Sequence, residues 1–180
     1  RSQRLRASLQ ALGGTESCKE AVPEIVWRGS DDLVSGYLRG LFSADGSVQG
    51  LVEKGVSIRL SSSKEGLLQD VQLLLLRLGV KSNLYKNRRV ESCRMLPDSN
   101  RKLREYKCLS QHELVISKTS LQKFEQNIGF LLNKKNEKLK SALESYRRGP
   151  HREQFFATVN EVSFVGEEEV YDLCEPITQH

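Results

Sequence analysis

The sequence of 180 residues lacks any apolar run that approaches the roughly 20 residues needed to cross a bilayer. It also lacks a secretory signal, because its basic N-terminal stretch has neither a continuous apolar core nor a small-residue cleavage site. Internal repeats and low-complexity segments are absent as well. These absences exclude membrane insertion and argue against export, so we expect an intracellular globular protein with one main domain.

Short cysteine spacings are absent too. The four cysteines are separated by 75, 15 and 66 residues, so there is no CxxC pair of the kind that holds zinc. We therefore expect free thiols in a reducing compartment. Only Cys93 and Cys108 could meet, as neighbours in a hairpin.

Acidic residues are scarce in one segment, and basic residues are missing from another. Residues 81–107 hold nine Lys or Arg against three acids, whereas residues 165–180 hold five acids and neither Lys nor Arg. A concentrated basic patch attracts a phosphate backbone through charge neutralisation and counterion release. A solvated basic loop would have the same composition, so charge alone leaves both interpretations open.

Hydrophobic periodicity predicts an α+β chain that begins with a short N-terminal helix and continues in the order αββαββαα, followed by a separate tail. Helices are expected at about 5–12, 32–44, 64–78, 121–129 and 134–147, and strands near 47–52, 56–61, 82–90 and 106–117. Asp45 and Gly46 read as a turn, and the leucine-rich helix 64–78 should be largely buried. The polar loop MLPDSNRK would join the last two strands, and FFATVNEVSFV and EEVYDL in the tail have strand character.

The helix that precedes Asp45 carries small residues on one face. Gly36, Gly40 and Ser43 or Ala44 fall at spacings of three and four, so two such helices could touch backbone to backbone. That contact would place two helix C-termini side by side, each with unpaired carbonyls and with Asp45 immediately beyond. Carboxylate and carbonyl oxygens are the ligands that Mg²⁺ prefers.

The string YLRGLFSADGSV resembles the LAGLIDADG signature of homing endonucleases. The matching positions are Leu38, Gly40, Leu41, Ala44, Asp45 and Gly46, and the string departs at Ser43, where the family often has an acid. The resemblance covers roughly residues 20–147, including LGVKS, SLQKFEQNIGF and KKNEKL in the family's order. It implies a site-specific double-strand DNA endonuclease with the αββαββα fold, whose four antiparallel strands form a DNA-binding saddle.

The resemblance also implies roles for individual residues. Asp45, with the backbone carbonyl of Ala44, would bind Mg²⁺ or Mn²⁺, and Lys135, with Lys134 beside it, would lie by the scissile phosphate. Ser63 falls where the family often has a polar residue that orders metal-bound water. Lys134 and Lys135 would equally suit solvated positions at a helix start. Since one motif is half an active site, the chain needs a second unit, either another copy in a homodimer or an N-terminal half.

Alternation along the strands assigns one set of side chains to the major groove of double-stranded DNA. These are Gln49, Arg59, Ser61, Asn83, Tyr85, Asn87 and Arg89. A second set, Arg88, Arg94, Arg104 and Lys107, would contact phosphates. A register error of one residue would exchange the two faces.

The tail VNEVSFVGEEEVYDLCEPITQH resembles the C-terminal splicing region of inteins, with Asp172 and His180 at the positions of the assisting residues. Neither the terminal asparagine nor an N-terminal nucleophile block is present, so we expect no splicing by this chain alone. The resemblance divides the chain into a helix and linker at 1–30, an endonuclease unit at 31–148 and incomplete strands of a Hint-type splicing domain at 149–180. Three functions stay open: an intein-associated endonuclease, a catalytically degenerate DNA binder or RNA maturase, and an inactive fragment of a splicing element.

Overall fold

The computed structural model of the chain describes residues 20–51, 55–97, 103–146, 150–152, 156, 158–159, 161–167 and 169. The helices are α1 (Glu24–Trp27), α2 (Asp31–Asp45), α3 (Glu65–Arg77), α4 (Ser120–Asn127) and α5 (Asn133–Glu144). The strands are β1 (Gly46–Leu51), β2 (Gly55–Ser62), β3 (Asn83–Arg89), β4 (Ser92–Pro97), β5 (Leu103–Cys108) and β6 (Gln111–Ile116). The predicted α+β class is confirmed. No helix among these residues is long and apolar enough to cross a membrane.

Helix α2 runs directly into strand β1. Its start is capped by Ser30, whose Oγ accepts a hydrogen bond from the Leu33 N–H, and two aspartates occupy its first turn, where the helix dipole favours negative charge. Its end corrects the predicted turn, because Asp45 is the last helical residue and Gly46 is the first residue of β1. A Cβ at Gly46 would lie 2.5 Å from the Phe42 carbonyl oxygen, so only glycine permits this direct passage.

Four strands form one antiparallel sheet in the order β1-β2-β6-β3. Helices α2, α3 and α5 contact its strands. The buried apolar side chains of the sheet come from alternate positions, as period-2 packing requires: Val48, Val56, Ile58, Leu60, Leu114 and Ile116. They belong to one hydrophobic core with Leu38, Phe42, Leu68, Leu74 and Phe124. The sheet therefore has a core face and an opposite face.

The basic region contains more strands than predicted. In place of two strands joined by a loop, it holds β3 and β6 in the main sheet and a separate two-stranded ribbon formed by β4 and β5. The predicted loop MLPDSNRK begins inside β4. Cys93 lies opposite Lys107 and is a free, exposed thiol. Alternation of apolar and polar residues could not distinguish the ribbon strands from the sheet strands, because the same pattern runs along both pairs.

Two further expectations need correction. Helix α3 is buried on one side only: Leu68, Leu74 and Leu75 are in the core, while Leu73 and Leu76 are 56% and 50% exposed. One row of leucines meets the sheet and the other faces outward. In the tail, the described residues between 156 and 169 form no strand. The expected helix 5–12 and the splicing residues Asp172 and His180 lie outside the described residues.

Candidate functional site

The end of α2 and the end of β2 border a common cleft of about 600 Å³. Asp45 and Ser63 both line it and both are exposed, so the structure brings these two predicted residues to one place. Lys64 and Gln111 line the cleft as well. Neither was predicted from the sequence, since neither belongs to a motif. Asp45 is thus a carboxylate at a helix end that solvent and a ligand can reach.

Lys135 binds the end of α2. Its ammonium donates hydrogen bonds to the carbonyl oxygens of Ser43 at 2.7 Å and Gly46 at 2.6 Å, with a longer contact of 3.4 Å to Phe42. The Ser43 carbonyl lies in the last turn of α2, where a helix leaves its carbonyls without intrahelical partners, and the Gly46 carbonyl belongs to the first residue of β1. A cation at a helix C-terminus also interacts favourably with the helix dipole. The ammonium is therefore engaged with the protein's own backbone; that Lys135 lies by the scissile phosphate stays a prediction.

Lys138 makes a second bond of the same kind. It lies one turn further along α5 and donates to the Val48 carbonyl oxygen at 2.7 Å. Lys134, by contrast, is exposed and makes no hydrogen bond or ion pair with any described residue. The spacing of three between Lys135 and Lys138 was the available signal, because residues three apart share one helix face. Two lysines of α5 thus hold the α2–β1 junction.

The glycine face of α2 is open within the described part of the chain. A Cβ added at Gly36 or Gly40 would meet no described atom within 4 Å, and Ala44, four residues on, is exposed. Ser43 does not belong to this face, which corrects the prediction that included it. Ser43 is 6% exposed, and its Oγ accepts from the Leu131 N–H at 2.7 Å. Ala44 is therefore the small residue that continues the open face.

Six of the side chains predicted to read bases lie on one face of the sheet, opposite the core. They are Gln49, Arg59, Ser61, Asn83, Tyr85 and Arg89. The strand register places Arg59 beside Val115 and Val115 beside Asn83, and it places Ser61 beside Glu113 and Glu113 beside Tyr85. Directly opposed residues share a face. We call this surface the reading face; its contact with DNA stays a prediction.

Asn87, the seventh, sits in an irregularity of β3 between Tyr85 and Arg89. Its φ is 50°, in the left-handed region that asparagine tolerates, and its N–H donates to Nδ1 of His112 at 3.3 Å. The alternation that assigned Asn87 to the reading face does not continue through such a bulge. Its place on that face therefore does not follow from the register.

The predicted phosphate contacts separate into two places. Arg88 lies near the reading face, with its Nε 3.0 Å from Glu113 and its guanidinium 5.0 Å from the centre of the Tyr85 ring. Arg94, Arg104 and Lys107 belong to the β4–β5 ribbon, outside the four-stranded sheet. Arg104 is exposed, whereas the structure describes only the backbone of Arg94 and Lys107.

The profile of a LAGLIDADG-like domain matches residues 32–129, from the first turn of α2 to the end of α4. The chain belongs to the LAGLIDADG-like family. The match contains the motif helix, all four strands of the main sheet and the open glycine face, so it covers the structural parts that surround Asp45. Lys135 lies beyond it.

This LAGLIDADG-like chain matches segments of much longer proteins. It is 30% identical over 171 residues to a Bacillus subtilis ribonucleoside-diphosphate reductase NrdEB subunit alpha, covering 93% of the chain and 16% of the relative. It is 31% identical to a Methanocaldococcus jannaschii glutamine–fructose-6-phosphate aminotransferase, covering 71% of the chain and 10% of that protein. A probable translation initiation factor IF-2 of Thermococcus kodakarensis is 31% identical, with 71% and 9% covered. The chain thus spans a small part of each relative's length.

Proposed function

We propose that this LAGLIDADG-like domain is a site-specific double-strand DNA endonuclease of intein origin that hydrolyses phosphodiester bonds with Mg²⁺ or Mn²⁺. The observation that carries the proposal is the position of Asp45. This carboxylate is exposed at the end of the helix whose glycine face contacts none of the residues that the structure describes. Pairing two such helices through Gly36 and Gly40 would bring two of these carboxylates together.

The donor set fits a divalent metal shared between two units. The described residues contain no group of three or more His, Cys, Asp or Glu that could hold a metal ion, and one unit offers the Asp45 carboxylate and the Ala44 carbonyl. These are hard oxygen ligands of the kind that Mg²⁺ takes. A metal bound there would lower the pKa of attacking water and stabilise the leaving oxygen. Ser63 lines the same cleft, within which it would orient water.

DNA binding is supported by the shape and charge of the sheet. Its reading face presents arginine, asparagine, glutamine and tyrosine side chains from β1, β2 and β3, and a β-sheet can enter the major groove, where the base pairs are distinguishable. Arg104 and the other basic positions of the β4–β5 ribbon would approach the backbone beside it. Double-stranded DNA is the partner that this combination suits.

Intein origin is supported by the relatives. The names of a reductase subunit, an aminotransferase and an initiation factor describe unrelated proteins, yet each shares a segment with this chain. A segment that recurs within unrelated proteins behaves as an inserted element. The described tail is consistent with a further domain, because Val162 and Phe164 are 89% and 90% exposed and large apolar groups gain stability when buried.

A second candidate is a catalytically degenerate binding module. The observation that favours it is the engagement of Lys135 with the backbone at the end of α2, which leaves Asp45 and Ser63 as the predicted catalytic residues whose side chains are open to a ligand. In that case the same sheet would bind nucleic acid without cutting it.

The two candidates are separated by cleavage of a randomised duplex library with Mg²⁺, followed by sequencing of the ends produced. We expect sequence-specific ends from the wild-type chain and at least about 100-fold fewer from Asp45→Asn, because the variant loses a metal-ligating charge. Both proteins should bind duplex DNA equally in gel-shift assays without metal. Ends that persist in Asp45→Asn would contradict the endonuclease proposal, and binding without any cutting would favour the binding module.

A further inference from the structure

Glu113 lies in the middle of the reading face. It belongs to β6, one of the two inner strands of the sheet, and is registered with Ser61 on β2 and Tyr85 on β3. It is 8% exposed. Burying a carboxylate is costly unless it is paired, and an acid is unexpected at the centre of a surface that would approach phosphates. Its pairing explains both features.

Two arginines pair with the same oxygen of Glu113. Arg59 Nη1 lies 3.2 Å and Arg88 Nε lies 3.0 Å from Glu113 Oε2. Each arginine has a second support: Arg59 Nε donates to Ser57 Oγ at 3.0 Å, and the Arg88 guanidinium stacks over Tyr85 at 5.0 Å. We call these five residues the Glu113 cluster. It spans β2, β6 and β3.

The cluster changes what the two arginines can do. An arginine without a partner pairs with phosphates wherever it finds them, and such contacts carry no sequence information. An arginine with two supports has already lost much of its rotamer freedom, so less entropy is lost when it contacts a base. The two arginines carry a formal charge of +2, and Glu113 lowers the total for the three groups to +1. This reduces attraction to DNA of any sequence.

We propose that Glu113 is a specificity-determining residue that positions Arg59 and Arg88 to read guanine in the major groove. Guanine is the base that the arginine fork matches, through O6 and N7. Arg88 contacts Glu113 through Nε, so the edge formed by its two terminal nitrogens is the one directed to a base. This inference rests on the proposed binding of DNA and names the chemistry that the reading face recognises.

The test is selection from a randomised duplex library by the full chain, without metal, followed by sequencing. Wild-type protein should enrich guanine at defined positions. Glu113→Gln should lose the preference at one or two of them, bind a duplex of arbitrary sequence more tightly and show a salt dependence steeper by about one unit of log Kd against log salt. Glu24→Gln is the matched control: it removes one charge from an exposed pair with Arg28 on α1 and should leave the base preferences unchanged.

The outcomes separate this inference from the proposed function. If Glu113→Gln keeps the wild-type guanine preferences, the inference is wrong while DNA binding stands. If the wild-type chain binds no duplex, both are wrong. Should Glu113→Gln lose its cooperative unfolding transition, Arg88→Gln replaces it, because that side chain is 45% exposed. Arg88→Gln should lose a guanine position, whereas uniform weakening over all sequences would overturn the inference.

Discussion

Replacing Lys135 with methionine removes the ammonium from the end of α2 and keeps most of the side chain's length. The ammonium makes two short bonds, to Ser43 and Gly46, and one long contact to Phe42. Hydrogen bonds that involve a charged group contribute about 1.5–3 kcal/mol each, and the variant regains part of the roughly 2 kcal/mol of side-chain entropy that an ordered lysine loses. We expect a net loss of about 2–3 kcal/mol in the free energy of unfolding.

The assay is urea unfolding followed by far-ultraviolet circular dichroism, with thermal unfolding as a second measure. For a chain of this size, the expected loss lowers Tm by about 4–12 °C. Lys134→Met is the matched control, because this neighbour has the same chemistry and no hydrogen bond or ion pair among the described residues. It should change stability by less than about 0.5 kcal/mol. Equal stability of the two variants would refute the capping role and leave Lys135 as a surface lysine.

Three more predictions follow from the described contacts. Gly40→Ala should raise the stability of the single unit by about 0.5–1 kcal/mol, because the added Cβ would meet no described atom within 4 Å. The same variant should weaken self-association measured by sedimentation. Unchanged association would exclude this face as the interface between units. Arg77→Met should lower the free energy of unfolding, measured in urea, by about 1–3 kcal/mol. Arg77 donates hydrogen bonds to Asp31 and to two backbone carbonyls at the end of α1, so it ties that end to α3. Glu65→Gln should destabilise the chain at neutral pH but not in acid: the hydrogen bond from Lys86 lowers the pKa of Glu65, so its stabilisation is lost as the pH falls through that lowered pKa. A deficit that stays the same as the pH is lowered to about 2 would contradict this.

The motif helix and its chemistry could be read from the sequence because they depend on local spacing. Gly36, Gly40 and Asp45 lie on one short helix, and helical periodicity assigns their directions. Strand alternation likewise assigned Arg59 and Tyr85 to one face of the sheet. These inferences needed no knowledge of what the elements pack against.

Contacts with distant partners were not predicted from the sequence. By spacing, Ser43 and Ala44 were equivalent candidates for the glycine face. In the structure, the Leu131 N–H, 88 residues away in the chain, donates a hydrogen bond to Ser43, which places Ser43 off that face. The ammonium of Lys135 reaches carbonyls 89 to 93 residues earlier in the chain, which no local pattern reports. The β4–β5 ribbon was missed because strand pairing, rather than strand propensity, separates it from the main sheet.

The sequence by itself determined the α+β class, the family resemblance and Asp45 as the candidate metal ligand, since each depends on residue type and on spacing within one element. Only the tertiary structure decided that Lys135 of α5 caps the motif helix, that Glu113 joins two arginines across three strands and that Leu73 and Leu76 face outward. Those features depend on which elements pack together. That choice is a property of the whole hydrophobic core, whose contacts join residues far apart in the chain.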